Sequence, residues 1–298
     1  MTPADILHRA RRIEIRARRL VEDLFTGPYR SVFRGRGIEF DEVREYQPGD
    51  DVRSIDWHAT ARTGVVQVKR RVEERHLTLL LAVDVSASGD FGSVPQSKRE
   101  LAAELAAVLA LSAVQNGDRA GLLLFTDRVE RFLAPRASRS QALAIVAAIL
   151  GHTPRSRRTR LQSALQSLMH AFRRRATVFL VSDFLDDGFE RSLRIAARRH
   201  DVIGLQIQDP LEVSLPSLGW LVCEDAETGD VLELDTSAPE VRHAFEVHRS
   251  ERAGRLREMF RRAGVDHVCC QPGLPYESAL LRFFESRQPA AVPTPDLV

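Results

Sequence analysis

LTLLLAVDVSAS, residues 77–88, is the stretch from which the fold is read. Seven apolar-rich residues, Leu77 to Val83, end at an acid, and three oxygen-bearing side chains then alternate, Asp84, Ser86 and Ser88. An apolar run that stops abruptly at small polar residues predicts a buried parallel strand ending at the carboxyl edge of a sheet. Ligands collect at that edge in open α/β sheets. One carboxylate and two hydroxyls are hard oxygen donors, suited to Mg²⁺ or Mn²⁺, ions that commonly keep several waters. A plainer reading fits the same string: an Asx turn leading into a helix cap, with Asp84 satisfying backbone donors.

Elements to either side extend the α/β pattern. Gln96 to Gln115 has helix-forming composition with Ser97 placed to cap it. Arg119 to Phe125 (RAGLLLF) supplies a second buried strand, and Val129 to Leu133 an edge strand in hairpin contact with it. Ser140 to Leu150 is an apolar helix, and Leu161 to Arg173 another. Ala176 to Ser182 (ATVFLVS) is a further buried strand ending at Asp183, and adjacent parallel strands bring such ends together. Asp186 and Asp187 are placed to cap a helix over Gly188 to Arg199, and Val202 to Gln208 is the next strand. A hairpin is expected near 217–235, then a long charged helix from Pro239 to Arg262, a strand over Val265 to Cys270 that makes its cysteines small core residues, and a helix over Tyr276 to Ser286. Strands alternating with helices predict a doubly wound, mainly parallel sheet covered on both faces.

The first 76 residues differ in texture. Pro3 to Leu24 places Ile6, Leu7, Ile13, Leu20, Val21 and Leu24 among many arginines, an amphipathic helix whose basic face is solvated or docked. Glycine turns and short alternating segments follow, with strands near Ile38 to Val43 and Val65 to Val72, a turn at Pro48-Gly49, and Ile55 and Trp57 directed into a small core. The expected organisation is a helix over 1–28, a small β-rich subdomain over 29–76, an α/β domain over 77–287 and a flexible, Pro-rich tail over 288–298.

Composition narrows the function classes. Basic and acidic residues number 43 and 41, so no strong field exists to recruit nucleic acid or an anionic membrane. Lys69 and Lys98 are the only lysines, a bias that lowers the weight of arginine clusters such as Arg155, Arg157, Arg158 and Arg160. Cys223, Cys269 and Cys270 show no metal-ligand or disulfide spacing, which fits a reducing cytoplasm. Met1 to Leu20 lacks the apolar core of a signal peptide, and no stretch approaches the roughly 18 apolar residues of a membrane span.

The quoted strings also carry a resemblance. DVSAS at 84–88 resembles the opening DxSxS of a metal-ion-dependent adhesion site in von Willebrand factor A domains. GRGIEFDEVREYQPGDDVRSIDWHATARTG at 35–64, LAVDVSAS at 81–88 and VSDF at 181–184 together resemble the bacterial and archaeal family named domain of unknown function 58, from about Ser31 to the final helix. That resemblance implies a von Willebrand factor A-type fold with a β-rich N-terminal addition, and association with a MoxR-type AAA+ ATPase. Adhesion-type sites take a threonine hydroxyl from a loop just before a helix. Thr159 resembles that position, with Thr153 as a competitor. The metal set implied is Asp84, Ser86, Ser88, Thr159 and Asp183.

The function expected is a non-enzymatic, divalent-cation-dependent protein-binding module, chaperone-like, acting as adaptor for the ATPase on an unknown client protein. A scaffold with a vestigial metal site is the alternative. A Mg²⁺-dependent phosphohydrolase fits less well, because the acid expected at position 86 is serine, which cannot serve as a general acid at neutral pH. No P-loop, GxGxxG or GxSxG string occurs.

Overall fold

The structure, a computed structural model, describes residues 2–24, 42–47, 50–70 and 77–287. Helix α1 (Pro3–Leu24) buries Ala10, Ala17 and Val21 in the same core as the central sheet, while Leu7 stays exposed. Its basic face is largely solvent-exposed, with Arg9 at its edge pairing with Glu100 at 2.6 Å. Strands β1 (Glu42–Glu45) and β2 (Gln67–Arg70) form an antiparallel pair. The remainder of the expected strand from Ile38, the Pro48-Gly49 turn, residues 71–76 and the tail over 288–298 lie outside the described residues. Trp57 does not enter a small core. Asp56 accepts hydrogen bonds from the His58 and Ala59 amides and starts helix α2 (Trp57–Thr63), which leaves Trp57 67% exposed.

The principal sheet is built from β3 (Thr78–Asp84), β4 (Arg119–Phe125), β5 (Val129–Arg136), β6 (Thr177–Ser182), β7 (Asp201–Ile207) and β10 (Asp266–Cys270). Its order is β10-β7-β6-β3-β4-β5, with β5 antiparallel to β4 and the other pairings parallel. This is a doubly wound α/β architecture, with a mainly parallel sheet covered on both faces. The winding reverses beside β3, so the crevice of the switch point opens between the carboxyl ends of β3 and β6.

Alternation along β3 divides the core. Leu79, Leu81 and Val83 face α1, α3 (Lys98–Gln115), α4 (Arg139–Gly151) and the final helix, whereas Leu80 and Ala82 face α5 (Leu161–Ala171), α6 (Glu190–Arg199) and a long helix described below. Helix α3 is buried nearly all round because α1 and α4 cover it, which explains its Ala- and Leu-rich sequence. Ser97 and Glu100 close a reciprocal capping box at its start. After β7, the short α7 (Pro210–Val213) leads to a hairpin of β8 (Trp220–Glu224) and β9 (Val231–Asp235), then α8 (Pro239–Ala263), β10 and α9 (Glu277–Ser286). Period-2 alternation buries Cys270 but turns Cys269 outward, so only one of the adjacent cysteines is a core residue.

His267 on β10 gives a pH prediction. Its Nε2 lies 3.0 Å from Gln206 Oε1 and its ring 4.8 Å from the Phe260 ring centroid, and burial followed by the Arg257 charge lowers its pKa to about 4 from 6.5. The unfolded chain therefore takes up a proton that the folded chain refuses, and this contribution is complete above pH 6.5 and lost as pH falls toward 4. The drop in unfolding free energy from pH 7.5 to 5 is expected to shrink by on the order of 2 kcal/mol in His267→Gln. Buried His200, also lowered by desolvation, retains its own share in both proteins. Equal pH slopes for the two proteins in urea titrations would contradict this.

Candidate functional site

Asp84 sits at the last position of β3, opposite Phe125 of β4 and one residue beyond the Val83–Val181 pair with β6. That register places Ser182 beside it, and Ser182 Oγ donates to Asp84 Oδ2 at 2.9 Å. The other carboxylate oxygen accepts the Ser86 amide at 2.9 Å, an Asx turn that directs Ser86 and Ser88 back over the strand end with their hydroxyls 3.1 Å apart. The Asx-turn geometry is therefore present together with the converging hydroxyls.

The 151–160 loop brings the next donor. Ala87 donates its amide to the Arg157 carbonyl at 3.0 Å and Arg160 to Thr126 at 3.2 Å, which fastens this loop across the ends of β3 and β4. Thr159 Oγ1 thereby lies 3.2 Å from Asp84 Oδ2, although 75 residues separate them. Thr159 is not a helix cap. The cap position of α5 is Arg160, and the Leu161 amide donates at 2.7 Å to Asp186, which accordingly serves α5. Helix α6 starts at Glu190 with no side-chain cap, so the expectation that Asp186 and Asp187 cap it is corrected.

Asp183 lines the same small cleft of about 20 Å³ as Asp84, Ser88 and Ser182. Its carboxylate has a partner that sequence reasoning missed. Lys98, from the first turn of α3, places Nζ 2.9 Å from Asp183 Oδ2 and 2.6 Å from Glu212 Oε1. Phe184, the next residue, takes a left-handed backbone (φ 57°), so the chain turns sharply after delivering Asp183.

The electrostatics follow. Burial, aided by the neighbouring Asp183 charge, pushes the Asp84 carboxyl up to about 7, against the opposing pull of the Ser86 and Ser182 hydrogen bonds. Burial alone would lower the Lys98 ammonium, but Asp183 and Glu212 raise it on balance. Burial raises Glu212 against the pull of Lys98 and the Asp209 amide, with the Asp183 charge adding to the rise.

A second missed residue comes from the hairpin. Asp225 Oδ1 accepts the Glu227 and Thr228 amides at 2.8 and 3.0 Å, and this tip presents Glu227 to Thr159, with Oε1 2.8 Å from the hydroxyl and Oε2 2.9 Å from the amide. Arg157 reaches the hairpin, donating to the Ala226 carbonyl at 2.8 Å. Among the described residues there is no group of three or more His, Cys, Asp or Glu able to hold a metal. The side-chain donors that converge on Asp84 are hydroxyls.

Residues 42–255 match the family model described as protein of unknown function DUF58. The chain belongs to the DUF58 family. Uncharacterized proteins are similar to this chain: one from Mycobacterium bovis is 31% identical over 285 residues, covering 95% of this chain and 90% of its own length. Another from Mycobacterium avium is 30% identical over 136 residues, covering 44% and 78%. Among solved structures, this DUF58 chain is similar to the hypothetical protein BatB of Bacteroides thetaiotaomicron, with a TM-score of 0.48, 16% identity, and 71% and 98% of the two chains covered. It is also similar to the VWA domain of SpRpn10, with a TM-score of 0.41, 11% identity, and 70% and 95% covered. No helix among the described residues of this DUF58 protein is long and apolar enough to cross a membrane.

Proposed function

We propose that this chain is a divalent-cation-dependent protein-binding module that serves a MoxR-type AAA+ ATPase as adaptor for a client protein. The observation that carries the reading is the meeting of Thr159 Oγ1 with Asp84 Oδ2 at 3.2 Å, beside the paired Ser86 and Ser88 hydroxyls. These are hard oxygens from two separate loops, at the switch-point edge where ligands gather. The donor set fits Mg²⁺ or Mn²⁺. Asp84, Ser86, Ser88 and Thr159 would hold the ion, and Asp183 would act from the adjoining strand end, directly or through water. When bound, the cation supplies positive charge for an incoming carboxylate, and hydroxyl ligands leave that charge less neutralised than carboxylates would. The ATPase and client rest on the family resemblance, with ATP hydrolysis belonging to the partner.

One observation favours a scaffold with a vestigial site: Lys98 already neutralises Asp183 at 2.9 Å. Titration calorimetry separates the two readings. Saturable Mg²⁺ or Mn²⁺ uptake is expected in the wild type, abolished in Asp84→Ala and weakened in Thr159→Ala. A folded wild-type protein that takes up neither ion would leave the scaffold reading.

A further inference from the structure

Thr159 has one hydroxyl proton and two carboxylates within reach of it. Glu227 Oε1 lies at 2.8 Å and Asp84 Oδ2 at 3.2 Å, so an acid at the end of β3 and another from the tip of the β8–β9 hairpin converge on one oxygen. Like charges this close favour a positive charge between them. Three nearby cations have other partners: Lys98 is held by Asp183 and Glu212, Arg99 donates to the Val85 carbonyl at 3.1 Å and the His152 carbonyl at 3.0 Å, and Arg157 is turned to the Ala226 carbonyl and to Glu224 at 3.5 Å.

The arm that brings Glu227 is itself sparsely packed. Trp220, Val222 and Val231 of the β8–β9 hairpin are exposed, and a two-stranded ribbon is marginal without further packing. Its tip, by contrast, is well defined by the Asp225 turn and fastened to the 151–160 loop at Ala226 and Glu227. The hairpin is thus a weakly supported arm whose tip is attached at the candidate cation site.

We propose that Glu227 is a built-in ligand: its carboxylate completes the shell of the cation held by Asp84, Ser86, Ser88 and Thr159, occupying the position that an acidic side chain of a partner protein must take. Resting on the cation reading above, this adds a regulated step to it. With the hairpin seated the site is closed, and partner capture requires the partner's acid to displace Glu227.

Mn²⁺ reports this directly, because water-proton relaxation reads the exchangeable waters on the bound ion. In the 298-residue chain, Glu227→Gln is expected to bind Mn²⁺ on the order of tenfold more weakly, the scale on which even outer partners of metal ligands count. The relaxivity of its bound Mn²⁺ is expected to rise as water enters the vacated position. Millimolar acetate should lower that relaxivity in Glu227→Gln and leave the wild type unchanged. Glu224→Gln, a neighbouring hairpin acid facing Arg157, should behave as wild type. Unchanged affinity and relaxivity in Glu227→Gln, with Asp84→Ala still abolishing uptake, would overturn the built-in ligand and leave the cation site standing. A matching change in Glu224→Gln would also overturn it, by assigning the effect to the hairpin as a whole. A wild type that takes up no Mn²⁺ would bring down both readings.

Discussion

Lys98→Met is expected to cost about 3–5 kcal/mol of unfolding free energy, the scale for removing one partner from a buried ion pair. Methionine keeps most of the side chain's volume, so the loss reads the charge. The ammonium and the Asp183 carboxylate it meets are only 4% and 5% exposed, and the second partner, Glu212, is held by the Asp209 amide at 2.9 Å and cannot swing away freely. Without Lys98, Asp183, Glu212 and Asp84 share the crevice with no ammonium among them. Lys98 also sits in the first turn of α3, where the helix dipole disfavours a cation, so its location is explained by the carboxylates and not by the helix. Lys98→Met combined with Asp183→Asn should recover part of the loss, since exchanging both charges for neutral groups removes the stranded carboxylate. A cost below about 1 kcal/mol for Lys98→Met in urea unfolding would mean that water already compensates these acids.

What was legible in the sequence follows the range of the interactions involved. The strand at 78–84 and its DVSAS exit are local: an apolar run, a stop and alternating oxygens suffice, and the register with β6 then places Asp84 and Asp183 at one edge. Thr159 came from the resemblance to adhesion-type sites, with Thr153 as competitor, because its meeting with Asp84 depends on how the 151–160 loop crosses the strand ends. Ser182 stood in plain view in VSDF, yet its role depends on the exact pairing of Val83 with Val181. Lys98 and Glu227 act across 85 and 68 residues, and nothing in their own neighbourhoods marks them. The one available signal for Lys98 was its rarity, as one of two lysines in an arginine-rich chain, since a compact ammonium suits a small buried pocket better than a guanidinium fork. Asp186 shows the opposite failure. Adjacency suggested that it caps the helix after it, whereas the fold brings it to the free amide of a helix that precedes it in the chain.

Phe260→Ala is expected to lose about 3–5 kcal/mol, the range for truncating a buried aromatic. The ring is 1% exposed on the inner face of α8 and meets Phe184 edge-on, with centroids 5.1 Å apart and planes at 90°. Beneath it, β7 carries Gly204, where an added Cβ would stand 2.9 Å from Phe260 Cζ. Glycine is required there by the close approach of the ring, so Gly204→Ala in the wild type should cost about 1–3 kcal/mol through overpacking. In the Phe260→Ala background the same methyl enters the cavity the ring has left, and its cost should fall toward zero or reverse, a coupling that a double-mutant cycle measures directly. Additive losses would show that the ring does not rest on β7. The contact also reaches the site, because Phe184 follows Asp183 in a left-handed turn and Phe260 packs against its ring. Loosening that packing frees the backbone that delivers Asp183, and in the proposed module Phe260→Ala should therefore weaken Mg²⁺ uptake as well as stability, although its ring touches none of the cation's donors.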